Sequence, residues 1–195
     1  PLVVPDGYYS GPEDASETTR SEKTICPAGY YCVGGEKFEC PAGSLGEAGG
    51  QWNPTCDGQC PRGYYCVGGE KHECGSVDKY CPAGSSAPTN VTTGHYSGPS
   101  DVNENVRYEE TLCPVGYYCV GGEKFECASG YFGNSTGLTT SQCSGMCKDG
   151  YYCESGSTRD DQHECGSVDK YCPAGSETPL VVPDGYYSGP EDASE

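Results

Sequence analysis

Apolar residues along this chain never settle into a helical rhythm. They arrive in short knots: YYC at residues 30–32, 64–66, 117–119 and 151–153, and PLVV at residues 1–4 and 179–182. PAG, VGG and DG tripeptides and dipeptides separate them. No window sustains the 3.6-residue apolar spacing of an amphipathic helix, and 30 Gly with 15 Pro interrupt the chain too often to allow one. Aromatic and β-branched knots suit short strands, and the Gly- and Pro-bearing steps suit turns. The pattern predicts small β-hairpins and irregular loops with little helix.

The knots recur in register at three nested periods. PLVVPDGYYSGPEDASE occupies residues 1–17 and, without a substitution, residues 179–195, an offset of 178. Residues 1–178 therefore read as one period of a tandem array, with the last seventeen starting the next. Pro1 carries neither a Met nor a signal peptide, so the chain is expected to be a window on something longer. Gly7–Cys40 reappears, diverged, as Gly94–Cys127 at an offset of 87. The offset reaches 91 by Cys172 because ESGSTRDDQHEC (154–165) replaces VGGEKHEC (67–74). Within the first half, CPAGYYCVGGEKFEC (26–40) returns as CPRGYYCVGGEKHEC (60–74). Such nesting predicts a quasi-linear array whose units contact mainly their neighbours. The divisions are a Cys-free segment 1–25, a Cys-rich half 26–84, a Cys-free segment 85–112, a second Cys-rich half 113–175, and 176–195 leading into the next period. GYYSGP and GHYSGP keep their Tyr and Gly in register, so the Cys-free segments are expected to be ordered rather than spacers.

Composition sharpens this picture. Leu, Ile, Val and Phe number 22 of 195 residues, and the net charge is −18; alone, those values describe disorder. Sixteen Cys point the other way. They form two sets of eight, Cys26, Cys32, Cys40, Cys56, Cys60, Cys66, Cys74, Cys81 and Cys113, Cys119, Cys127, Cys143, Cys147, Cys153, Cys165, Cys172, whose spacings agree except across the insertion. An even count, regular spacing and a weak core predict a disulfide framework in an oxidising compartment. Zinc is the competing reading, but only Cys56/Cys60 and Cys143/Cys147 have close ligand spacing, and neither has a second close pair. The pairing is open, since eight Cys allow roughly a hundred connectivities. Local bridges are expected because they cost least loop entropy.

With 29 acidic and 11 basic residues, the chain offers no basic stripe for nucleic-acid phosphates. No apolar run approaches membrane-spanning length. Two N-glycosylation sequons, Asn90-Val91-Thr92 and Asn134-Ser135-Thr136, support a secretory route.

CPAGYYC, PAGS and YFGNSTGLTTSQCSGMC resemble the cysteine-rich, ephrin-receptor-like repeats, which are akin in style to the tumour-necrosis-factor-receptor and EGF-like modules. The resemblance covers Cys26–Gly84 and Cys113–Gly175. It implies extracellular, disulfide-bonded, elongated arrays, found in large surface proteins of single-celled eukaryotes, and no catalysis. The VGGEKFEC segment and the long Cys-free zones depart from the family's usual pattern.

Candidate contact residues are aromatic. Each YYC knot places its two rings on opposite sides of an extended segment, so one ring is expected inside and the other, Tyr31, Tyr65, Tyr118 or Tyr152, free for a neighbouring module or a glycan. Trp52, the sole Trp, lies in the Cys40–Cys56 loop where the sister loop has Thr139; it is a candidate contact to another period, chain or sugar, against the plainer role of lid on its own loop. His72 and His163 stand where the sister modules have Phe38 and Phe125, and His95 where Tyr8 stands, which makes all three packing positions. Asp101, Asn103 and Glu104 are similar to the calcium motif of growth-factor-like modules but lack the Cys that follows it; a solvated acidic loop competes with a Ca²⁺ site there. No nucleophile–base arrangement stands out, so the chain is not expected to be an enzyme. The expectation is a structural subunit of an extracellular glycoprotein fibre or appendage, such as a flagellar hair of a protist or alga, self-associating through neighbouring repeats and chains and their glycans. The alternative is the stalk of a cell-surface receptor or adhesin.

Overall fold

The structure, a computed structural model, describes residues 2–189; residues 190–195, the end of the second PLVVPDGYYSGPEDASE copy, lie outside it. The chain divides into two units, one of residues Pro1–Asn90 with Ser97–Glu109, the other of Val91–Tyr96 with Glu110–Glu195.

Short strands form where the β-prone knots occur, and Gly-rich steps reverse the chain between them. In the first unit these are β1 (Tyr8–Gly11), β2 (Glu22–Ile25), β3 (Tyr30–Val33), β4 (Glu36–Glu39), β5 (Ser44–Leu45), β6 (Gly58–Gln59), β7 (Tyr64–Val67), β8 (Glu70–Glu73), β9 (Lys79–Tyr80) and β10 (Thr89–Asn90). They pair two by two, antiparallel, with no larger sheet. Strands β11 (His95–Gly98) and β12 (Glu109–Leu112) are divided between the units. The second unit continues with β13 (Tyr117–Val120), β14 (Glu123–Glu126), β15 (Tyr131–Phe132), β16 (Gly145–Met146), β17 (Tyr151–Tyr152), β18 (His163–Glu164), β19 (Lys170–Tyr171) and β20 (Leu180–Val181), paired in the same way. The only helical turn among the described residues is a 3₁₀ turn at Glu104–Val106. The fold is therefore disulfide-rich and mainly irregular, with short two-stranded hairpins.

The core is made of sulfur and backbone. Every buried apolar side chain among the described residues is a Cys. Eight disulfides join Cys26–Cys32, Cys40–Cys56, Cys60–Cys66, Cys74–Cys81, Cys113–Cys119, Cys127–Cys143, Cys147–Cys153 and Cys165–Cys172. No free Cys remains. The two halves use the same scheme, and each bridge closes a loop of 16 residues or fewer.

Glycines supply the other half of the core. The Gly that leads into each aromatic knot adopts a left-handed conformation, for example φ 83° at Gly29 and 79° at Gly116, which side chains bearing a Cβ resist. Its carbonyl accepts from a cysteine amide further along: Cys40 N–H to Gly29 O at 2.8 Å, Cys74 N–H to Gly63 O at 3.1 Å and Cys127 N–H to Gly116 O at 2.9 Å. Its N–H donates to the backbone of a later module: Gly29 to Gly46 O at 2.7 Å, Gly116 to Gly133 O at 2.8 Å. A Cβ at Gly29 would stand 2.7 Å from Gly68 O, and one at Gly116 2.6 Å from Gly156 O. Backbone therefore presses on backbone two hairpins away.

The insertion leaves this pattern intact. Gly133 N–H donates to Ser157 O at 2.8 Å, where the first half has Gly46 N–H to Gly69 O at 2.9 Å. The extra residues instead shorten the hairpin, from four register pairs in β7–β8 to two in β17–β18.

The Cys-free zone 82–112 is ordered. It carries β10, β11, the 3₁₀ turn and β12. Within the first unit its Arg107 carbonyl accepts from Cys81 N–H at 2.9 Å and its Asn105 carbonyl from Gly75 N–H at 3.0 Å.

Candidate functional site

The four-residue hairpins present two distinct faces, because directly opposed residues of an antiparallel pair share a side. In β3–β4 the register sets Cys32 opposite Lys37 and Tyr31 opposite Phe38. The Cys face turns inward. On the other face the Tyr31 and Phe38 rings stack at 5.3 Å between centroids, and both remain partly exposed. The same pair occurs as Tyr65–His72 at 5.2 Å, Tyr118–Phe125 at 5.4 Å and Tyr152–His163 at 5.0 Å. His72 and His163 thus occupy ring-packing positions, as their Phe counterparts do. The other ring of each knot carries a lysine. Lys37 Nζ lies 4.9 Å from the Tyr30 ring centroid and 5.2 Å from that of Tyr9; Lys124 lies 4.9 Å from Tyr117 and 5.1 Å from Tyr96. One lysine therefore clamps tyrosines of two modules by cation–π attraction. The insertion removes the counterpart of Lys71, which sits 5.3 Å from Tyr64, and Lys148 takes that place at 4.7 Å from Tyr151.

Sequence reasoning missed these lysines, and also Arg20, whose Nη1 donates to Ser10 O at 3.2 Å and Ser10 Oγ at 3.1 Å, and Arg107, whose Nη1 donates to Ser97 O at 2.6 Å. The available signal was the equal register of Lys37 with Lys124 and of Arg20 with Arg107 in the two copies.

Lys37 also forms an ion pair with Glu13. That hydrogen bond, more than the charges around it, holds the Lys37 ammonium above its ordinary value, against the opposing effect of burial. A raised lysine contributes stability that is complete below its unfolded value, 10.5, and is lost as pH rises through the folded one. As pH rises above 10.5, the Tyr9 amide is expected to lose protection from hydrogen exchange. In Lys37→Arg, which keeps its charge, the loss should come later. Equal pH dependence in the two proteins would rule out the clamp.

Asn90, on β10, and Asn134 are both exposed. Asn134 N–H donates to Ser144 Oγ at 3.1 Å, leaving its amide at the surface. Its counterpart Glu47 pairs with Lys71 at 3.2 Å, so the half that loses this ion pair gains a sequon. Trp52 is 59% exposed, on the loop closed by Cys40–Cys56. Asp101 and Glu104 are exposed, and Asn103 Oδ1 accepts from Asn105 N–H at 2.9 Å, capping the 3₁₀ turn. Among the described residues no three His, Cys, Asp or Glu side chains gather as metal ligands.

These features define an array of cysteine-rich modules, stapled locally and stacked through glycine backbone. Eight disulfides fit an oxidising compartment, and no described helix is long and apolar enough to cross a membrane. No protein-family model matches the chain, and no curated protein matches it significantly.

Proposed function

We propose that this chain is a non-catalytic structural subunit of an extracellular glycoprotein fibre or surface appendage. The observation that carries the reading is equivalence. The same disulfide scheme and the same glycine contacts recur in both units, and the 178-residue offset restores an identical sequence. Equivalent periods make equivalent contacts, and repeating heterologous contacts that do not close give filaments. Partners are then neighbouring periods and chains. Trp52 and the outward rings Tyr31, Tyr65, Tyr118 and Tyr152 supply apolar contact, and sugars on Asn90 and Asn134 supply a hydrated coat. The net charge of −18 favours a second reading, the solvated stalk of a receptor or adhesin, since self-repulsion keeps such chains apart.

Sedimentation of native, unreduced material separates the two: a fibre subunit sediments as polymers, a stalk as monomers. Trp52→Thr, which copies the sister loop, is expected to leave the fold unchanged and to weaken polymerisation about tenfold or more, the effect of losing one buried aromatic anchor. Undiminished assembly would reduce Trp52 to a local lid.

A further inference from the structure

The Gly-(Tyr/His)-Tyr-Ser-Gly segment occurs three times, at Gly7–Gly11, Gly94–Gly98 and Gly185–Gly189. All three begin with the same turn: Tyr8 N–H to Pro5 O at 3.2 Å, His95 N–H to Thr92 O at 3.0 Å, Tyr186 N–H to Pro183 O at 3.1 Å. The lead glycines share φ of 85°, 80° and 85°.

The first two are clasped by the residues that follow them. In the first unit Cys26 N–H donates to Gly7 O at 2.8 Å, Gly7 N–H to Cys32 O at 2.9 Å, and Ser10 N–H to Gly35 O at 2.9 Å. In the second unit Cys113 N–H donates to Gly94 O at 2.9 Å, and Tyr96 bridges Gly122 as Tyr9 bridges Gly35. Gly7 and Gly94 press equally on Gly50 O and Gly137 O, each at 2.6 Å from the Cβ position.

Among the described residues the third segment has the shape without the clasp. No described atom stands within 4 Å of a Cβ at Gly185, and Tyr186 and Tyr187 are 77% and 76% exposed, whereas Tyr8, Tyr9, His95 and Tyr96 are half-buried. Its root is nevertheless anchored: Ser188 Oγ donates to Val168 O, as Ser97 Oγ does to Val77 O.

We infer that Gly185–Gly189 is a preformed docking strand for residues 18–51 of a following copy of the period. Resting on the tandem-array reading, this names the contact through which one period holds the next. The geometry also selects which half docks. Lys23 Nζ lies 4.5 Å from the Tyr8 ring; the corresponding residue of the other half is Glu110, and it faces a segment that has His95 in place of Tyr8. Tyr186 repeats Tyr8, so a lysine-bearing half attracts it, and a glutamate-bearing half offers its ring no cation. The order of halves is thus written in two residue pairs.

Hydrogen exchange compares the 195-residue chain with the same chain followed by a second copy of its residues 18–178. In the longer chain the Gly185 and Ser188 amides should exchange at least about tenfold more slowly, approaching Gly7 and Ser10. Unchanged exchange there, with Gly7 and the second copy's own Gly29 protected, would overturn the docking. Lys23→Glu in the second copy alone should remove much of the junction protection while sparing Gly7; no effect would overturn the selection of halves. A protected junction in native material that sediments as monomers sinks the fibre reading alone, and polymers with a freely exchanging junction sink this inference alone.

Discussion

Gly29→Ala is expected to destabilise the first unit by about 3 kcal/mol, while Gly34→Ala, five residues on, should cost only about 1 kcal/mol. Both glycines have positive φ, 83° and 61°, so both substitutions carry the backbone penalty of the left-handed region. They differ in what the new methyl meets. At Gly34 there is open space; at Gly29 the methyl would stand 2.7 Å from Gly68 O, a backbone atom held by its own hairpin. One module or the other must then move, and the Cys40 N–H bond to Gly29 O moves with it. Denaturant midpoints of the two unreduced variants give the comparison. Equal losses would mean that the close stacking of backbone contributes nothing.

The double substitution Cys40→Ser with Cys56→Ser is the second large effect. Loop closure alone assigns about 3 kcal/mol to this 16-residue bridge, against about 2 kcal/mol for the six-residue Cys26–Cys32 bridge. Both sulfurs of the longer bridge are buried, so their loss also opens the core between β4 and the Trp52 loop. Full reduction should unfold the chain, because 22 Leu, Ile, Val and Phe among 195 residues cannot replace sulfur as the core. Backbone protection surviving complete reduction would contradict a core built on sulfur.

The fold class was legible because its determinants are local. Tyr-Tyr-Cys knots between glycine turns name a hairpin wherever they occur, and the matching Cys registers name the framework. The ordered Cys-free zone was legible from GYYSGP and GHYSGP, whose tyrosines answer to the lysine clamp. Bridge pairing was not legible. Cys26 finds Cys32 rather than Cys40 because the intervening turn brings them together, and spacing alone leaves both open. The stacking of Gly29 on Gly68 was equally hidden, since a contact between backbone atoms leaves no side-chain pattern. The roles of Lys37 and Lys124 were not legible either, because they depend on Tyr9 and Tyr96 being folded beside them.

The claim that equivalent periods build a fibre meets its most direct test in cryogenic imaging of the native particle. The expected image is a filament with a fixed axial repeat, whose density per 178-residue period holds two similar cysteine-rich halves with sugar branches at Asn90 and Asn134. Separate rods without an axial register, each ending in an unrelated binding domain, would contradict it and give the chain to a stalk.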